Sequence, residues 1–248
     1  VYEETGVDGV VSLEVSPHLA HDTEGTIEEA RRLWDAVGRP NLMIKVPATE
    51  EGIPAIEQLL SEGINVNVTL MFSLGHYEKV AQAYLRGLRR ADDPSGIVSV
   101  ASFFVSRVAR EVDTRLDERG LTDAVDFDGS DVAIANARMA YRRFEEIFHG
   151  DDFADLREQG AFVQRPLWAS TSTKDPTRSD VLYVESLIGE QTVNTIPPDT
   201  LDAFRDHGTV AGQPVTDDLD RAEAVLRRLD EVGIDLDDVT ETLQARGV

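Results

Sequence analysis

Short runs in which apolar and polar residues alternate recur along most of the chain, separated by longer stretches with helical periodicity. Val10 to Val15, Asn41 to Val46, Asn65 to Phe72, Ile97 to Val105, Phe162 to Ala169 and Thr192 to Ile196 read as strands. After the first, Thr26-Ile27-Glu28-Glu29 has capping-box spacing, and Ile27, Ala30, Leu33, Trp34 and Val37 follow the helical period up to Gly38. A second helix is predicted from about Pro54 to Leu60, stopped by Gly63. A third runs from Ser73 to Arg90, with Val80, Ala83, Tyr84 and Leu88 on its apolar stripe. Two or three helices without a strand, including Val132 to Phe148, lie between Ser106 and Gly160 and interrupt the βα repeat. Two more, Leu219 to Val232 and Asp235 to Arg246, end the chain. Nothing is rich enough in Gly, Pro and Ser to mark a boundary. Residues 1–248 therefore read as one α/β domain, with a helical insertion at about 107–160 and C-terminal helices from about 217.

Six strands joined by helical crossovers fit either an open doubly wound sheet or a (β/α) barrel. The faces of the strands separate the two. Strands of an open parallel sheet are covered on both faces and read as continuous apolar runs. Here Val11, Leu13 and Val15 alternate with Ser12, Glu14 and Ser16; Leu42, Ile44 and Val46 alternate with Asn41, Met43 and Lys45. In the third strand Val66, Val68, Leu70 and Phe72 alternate with Asn65, Asn67, Thr69 and Met71. One face suits an outer ring of helices. The other would converge in the lumen of a TIM-type barrel, whose active sites lie at the carboxyl ends of the strands.

Composition narrows the class. The chain has 24 basic against 47 acidic residues, a formal charge of −23, which repels nucleic acid and anionic membranes at long range. Its 41% hydrophobic content, spread along the length, supports a sizeable core. The absence of cysteine excludes disulfides, thiolate zinc sites and cysteine nucleophiles. No membrane span or leader peptide is read, which makes the cytoplasm the expected location. Three of the basic residues are lysines (Lys45, Lys79 and Lys174), leaving 21 arginines. Adaptation to strong salt and GC-rich coding both explain that preference.

Lys45 draws attention against this background. A chain that uses arginine seven times as often places a lysine inside an apolar strand, and the property that arginine lacks there is deprotonation. A desolvated lysine can attack a carbonyl and form a Schiff base. A strand-end lysine that reaches out to solvent is the plain alternative. Glu14, Asn67 and Thr69 share the lumen parity of Lys45 on flanking strands, so a carboxylate, an amide and a hydroxyl surround the amine. His18 and His21 have no third metal ligand placed with them, and GxSxG, Walker A and GxGxxG patterns are absent.

Three motifs in order, Val11-Ser-Leu-Glu14-Val-Ser-Pro17, Asn41-Leu-Met-Ile-Lys45-Val-Pro-Ala-Thr49 and Gly63-Ile-Asn-Val-Asn67-Val-Thr69-Leu-Met-Phe72-Ser73, resemble the transaldolase family. The likeness continues through Ser102-Phe-Phe104-Val-Ser-Arg107. In the longer plant and actinobacterial branch it extends through Arg165-Pro-Leu-Trp168-Ala-Ser170-Thr-Ser-Thr-Lys174 and Asn194-Thr-Ile-Pro197. It implies a (β/α)8 barrel, sugar-phosphate substrates and no metal or organic cofactor. The implied reaction moves a dihydroxyacetone unit from sedoheptulose 7-phosphate to glyceraldehyde 3-phosphate, giving erythrose 4-phosphate and fructose 6-phosphate in the pentose phosphate pathway. By the same resemblance Lys45 forms the Schiff base and Glu14 and Thr69 hold a catalytic water. Asn67 bonds the dihydroxyacetone unit, and Ser102 and Arg107 bind phosphate. Ser170 and Lys174 lie on a loop that can add to the phosphate site, and Phe104 forms an apolar wall near the sugar. A core role is the expectation for Trp168. Two alternatives stand beside this reading: a related aldolase that releases free dihydroxyacetone, and a non-catalytic sugar-phosphate-binding barrel.

The family's first strand carries an aspartate that moves protons at the cleaved C4 hydroxyl, and its second lies in an Asn-Pro motif. Neither is found here. The six strands then correspond to family strands three to eight, and the expectation is a fragment that lacks two strands and the C-terminal end, inactive alone.

Overall fold

The computed structural model describes residues 1–248 except Lys174. Each expected strand forms: β1 Val11–Glu14, β2 Leu42–Pro47 and β3 Val66–Met71 within a residue of the expected ends, and β4 Ser99–Phe104, β5 Arg165–Ala169 and β6 Val193–Asn194 shorter than expected, by up to three residues at an end. All pair in parallel in the order β1-β2-β3-β4-β5-β6. Eleven α-helices accompany them among the described residues: α1 Tyr2–Thr5, α2 Thr23–Val37, α3 Gly52–Ser61, α4 Leu74–Arg90, α5 Ser106–Glu118, α6 Gly129–Phe148, α7 Ala154–Glu158, α8 Leu182–Ser186, α9 Pro198–His207, α10 Leu219–Glu231 and α11 Leu236–Gly247. The result is a curled, six-stranded part of a TIM-type barrel with helices outside. The curl brings the segment before β1 against β5, where Arg165 Nη1 lies 2.7 Å from Asp8 Oδ1.

Period two works as expected in the middle of the sheet. Leu42, Ile44, Val46, Val66 and Val68 are buried on the outer side, where α3 and α4 contact β2 and β3. The insertion between β4 and β5 is α5, α6 and α7, and it builds the aromatic part of the core. Phe144, Phe148 and Phe153 stack in series, at 5.4 Å between successive ring centres, and Tyr84 of α4 meets Phe148 at 5.9 Å. Each such fully buried ring contributes about 1.5–3 kcal/mol relative to exposure. The Tyr84 hydroxyl keeps a partner by donating to Phe162 O at 2.7 Å.

Three expectations are corrected. The apolar side of β1 is not covered by a helix: Val11 is 62% and Leu13 37% exposed, because α2 packs on β2 and α3 instead. The capping box at Thr26 does not form. Asp22 caps α2 a turn earlier, accepting from Gly25 N, while the buried Thr26 hydroxyl donates to Leu19 O at 2.9 Å and ties down the turn before the helix. The polar helix α9, between β6 and the C-terminal helices, lacked a long apolar stripe and was not foreseen.

One backbone irregularity bears on the site. Pairing of β3 with β4 shifts register between Val68 and Met71, and Leu70 adopts φ 57°. A left-handed leucine costs about 1–2 kcal/mol. Among the described residues, no helix is long and apolar enough to cross a membrane.

Candidate active site

Strand register assembles the centre. Glu14 pairs with Lys45, Lys45 with Asn67 and Pro47 with Thr69, so the side chains of equal parity on β1, β2 and β3 enter the lumen together. Lys45 Nζ lies 3.2 Å from Glu14 Oε2. Both side chains retain solvent contact, 29% for the lysine and 51% for the glutamate. An ion pair this open contributes about 0–1 kcal/mol to stability, too little to account for a lysine inside a buried strand. The amine instead faces a cavity of about 500 Å³ lined by Ser12, Glu14, Met43, Lys45, Asn67, Thr69, Ser102 and Phe104 together with residues of β5 and β6.

A short polar ladder crosses this cavity. Asn67 Nδ2 donates to Ser12 Oγ at 2.9 Å, and Ser102 Oγ donates to Asn67 Oδ1 at 2.7 Å. The two bonds fix which end of the amide faces which strand, leaving one Nδ2 hydrogen for a ligand. Thr69 Oγ1 is buried without a hydrogen-bond partner among the described residues. Such an atom costs about 1–3 kcal/mol unless something bonds it, and beside an amine and a carboxylate it suits a water or a substrate hydroxyl. Ser12 was not singled out in the sequence, although its parity with Glu14 was the signal that could have found it.

The rim is built differently. Phe104 ends β4, lines the cavity and packs against Phe72 with ring centres 5.1 Å apart. Arg107, in the first turn of α5, is exposed and stacks its guanidinium carbon 4.8 Å from the centre of the Phe104 ring. It lines a separate arginine-rich cleft of about 660 Å³ between α5 and α11, not the lumen. Ser170, at φ 58° just past β5, bonds Ser106 at the start of α5 through both the side chains, at 2.8 Å, and the backbone. Ser102, expected beside Arg107 in a phosphate site, lies on the ladder with Asn67. Lys174 lies outside the described residues. Trp168 is buried behind the sheet, donating to Leu187 O at 2.8 Å and meeting Phe103 edge-on, so its role is in the core. His21 pairs with Glu51 at 3.1 Å, and among the described residues no three His, Asp or Glu side chains converge as a metal site.

An amine held beside a carboxylate, with an amide, two serine hydroxyls and an unpaired threonine around one cavity, can add to a carbonyl and move protons at the adduct. The whole chain, residues 1–248, matches the family described as Transaldolase/Fructose-6-phosphate aldolase. Proteins named transaldolase from Thermobifida fusca (strain YX) and Frankia alni (strain DSM 45986 / CECT 9034 / ACN14a) are 54% and 52% identical to it, each over 100% of this chain and 68% of the relative. A transaldolase of Mycobacterium tuberculosis (strain CDC 1551 / Oshkosh) is 51% identical over 98% of this chain and 66% of its own length. The chain belongs to the transaldolase/fructose-6-phosphate aldolase family.

Proposed function

We propose that this chain carries the Schiff-base centre of a transaldolase, a transferase that moves a dihydroxyacetone unit between sugar phosphates. The observation that carries the reading is the Glu14–Lys45 contact inside the lumen, next to Asn67 and Thr69. Lys45 Nζ gives up a proton toward Glu14 and adds to the C2 carbonyl of the donor ketose. The carbinolamine loses water, with Glu14 and Thr69 holding that water, to give a protonated imine. Cleavage of C3–C4 sends its electron pair into the imine while the C4 hydroxyl gives up its proton, so an aldose leaves and an enamine remains. The enamine adds to the acceptor aldehyde, and water then hydrolyses the product imine to regenerate the amine. Asn67 orients the dihydroxyacetone hydroxyls. Ser102 holds the Asn67 amide in place, Arg107, Ser170 and Lys174 serve the phosphate, and Phe104 forms the apolar wall against the sugar.

The base for the C4 hydroxyl is not evident in this cavity. Its two acids are Glu14, beside the amine, and Asp8, paired with Arg165 at the opposite end of the strands. The uncovered β1 also has no second strand neighbour among the described residues. Two further βα units beside β1 would close the barrel and bring an aspartate to the missing position. On this reading the relatives' greater length is accounted for, and the chain alone has little turnover. Charged sugar phosphates do not cross membranes unaided, which supports a cytoplasmic setting for the reaction.

Sodium borohydride added with fructose 6-phosphate should reduce the imine and leave a stable adduct on the peptide containing Lys45. An adduct confined to Lys79 or Lys174, or none, would overturn the assignment. All the relatives named above are transaldolases, which favours transfer over release of free dihydroxyacetone. Turnover by the complete enzyme should therefore require an aldose acceptor.

A further inference from the structure

We infer that Gln244, on the last helix, is a positioning residue for the two strands that carry Lys45 and Thr69. The inference rests on the Schiff-base reading above and adds a component outside the lumen. Gln244 Nε2 donates to Ala48 O, just past β2, and to Leu70 O near the end of β3, both at 3.0 Å. A primary amide has two N–H groups, so one side chain satisfies both carbonyls. Ala48 N donates in turn to Thr69 O at 2.8 Å. Three hydrogen bonds thus join the strand ends where regular pairing gives out.

The strands need such a tie because the backbone there is strained. Leu70 is held at φ 57° and the register of β3 shifts around it. A left-handed leucine persists only where its surroundings fix it. The surroundings here are the Gln244 amide on its carbonyl and α11 on its side chain: a Cβ built on Gly247 would come within 2.9 Å of Leu70 Cδ2. The helix is itself fastened at both ends of its length. Glu241 meets the buried His76 of α4 at 3.0 Å, Asp238 meets Arg115 of α5, and Arg246 reaches Glu111 of α5 at 2.7 Å. Val239 and Leu243 are buried beneath it.

The backbone at Leu70 sets the direction of the preceding Thr69 side chain, whose hydroxyl has no hydrogen-bond partner among the described residues. Releasing Leu70 would let Thr69 turn away from the carbinolamine while leaving Arg107, Phe104 and the Asn67 ladder untouched. The effect should therefore fall on formation and breakdown of the imine, not on binding of the sugar phosphate.

The test compares Gln244→Leu with the unsubstituted complete enzyme. Expected are borohydride trapping and kcat about tenfold slower, a KM within about twofold, and hydrogen exchange at the Ala48 amide about tenfold faster. Gln244→Lys, which can donate to both carbonyls, should recover most of the rate. Gln244→Glu keeps the side chain's size but offers the carbonyls no donor, and it should reproduce the loss even if the leucine variant folds poorly. Trapping at the normal rate in Gln244→Leu and Gln244→Glu, or slow trapping with Ala48 exchange unchanged, would overturn the inference. Failure of the unsubstituted enzyme to trap at Lys45 would instead defeat the Schiff-base reading, and the Ala48 comparison would still decide whether the tie exists.

Discussion

Lys45 and Glu14 separate the demands of stability from those of chemistry. Their contact is open to water, so losing it should cost at most about 1 kcal/mol, a shift of no more than about 4 °C in Tm for a chain of this size. Lys45→Arg keeps the charge and the pairing but supplies no nucleophile. It should melt within that margin of the unsubstituted protein and show no borohydride adduct. A Tm fall of 10 °C or more, measured by calorimetry, would mean that the lysine serves the fold. Arg107 makes the opposite kind of prediction. Its guanidinium lies over Phe104, which lines the lumen, and the phosphate reading requires the side chain to turn from the outer cleft to the rim. Arg107→Ala should raise KM for phosphorylated donors by a factor corresponding to about 1.5–3 kcal/mol, the worth of one charge-assisted bond. Unphosphorylated dihydroxyacetone should be affected far less, and equal losses for both would remove Arg107 from the phosphate site.

At the scale of elements, α2 is joined to the end of α3 on their solvent side by a carboxylate. Glu62, at the C-terminal end of α3, receives a fork from Arg31 of α2, with Nε at 2.8 Å from Oε2, and a further bond from Gln58. The Arg31 bond holds the Glu62 carboxyl below its ordinary pKa, against an opposing push from partial burial and with help from Gln58 and Arg90. A depressed carboxyl stabilises the fold above its unfolded-state pKa, and that contribution is lost as pH falls through the lower folded-state value. Glu62→Gln should thus cost up to about 1 kcal/mol at pH 7, after allowance for solvent screening. Urea denaturation repeated at descending pH should show the two proteins converging below the ordinary glutamate range. A gap that stays constant down to pH 2 would exclude the ion pair as its source.

The same scale shows what the sequence could and could not reveal. Strand parity rests on local geometry, so Glu14, Lys45, Asn67 and Thr69 were legible as one face from the period-two pattern alone. The roles of those residues came from resemblance, since a polar ladder filling a lumen would have the same pattern. Gln244 was not legible: its partners Ala48 and Leu70 lie 196 and 174 positions away, and a glutamine on a polar helix carries no signal of contact with a strand end. Nor was the outward turn of Arg107, because helix position fixes where a side chain starts but not which of two clefts a long one enters.

Across the whole molecule, the unresolved tension is between a buried inner sheet and an uncovered first strand. Ile44 N in β2 donates to Asn65 O at 2.8 Å beneath a fully buried outer face, whereas every residue of β1 is exposed. Val11 N and Val15 N donate toward β2, to Asn41 O and Lys45 O. Main-chain groups alternate along a strand, so those of Ser12 and Glu14 point to the other edge, which no strand occupies among the described residues. Such an edge, flanked by exposed Val11 and Leu13, invites pairing with another chain. The charge of −23 opposes this at low ionic strength, and salt screens the repulsion, with a Debye length of about 10 Å at 0.1 M and about 3 Å at 1 M. The 248-residue chain should therefore be mainly monomeric in dilute buffer and associate as salt rises, which light scattering would follow. In the monomer, hydrogen exchange should be orders of magnitude faster at the Ser12 and Glu14 amides than at Ile44. In a chain that also carries two βα units beside β1, both amides should become protected and salt-driven association should disappear. Slow exchange at Ser12 and Glu14 in the 248-residue monomer would show that its first strand is already covered, and the proposed place for further strands would be wrong.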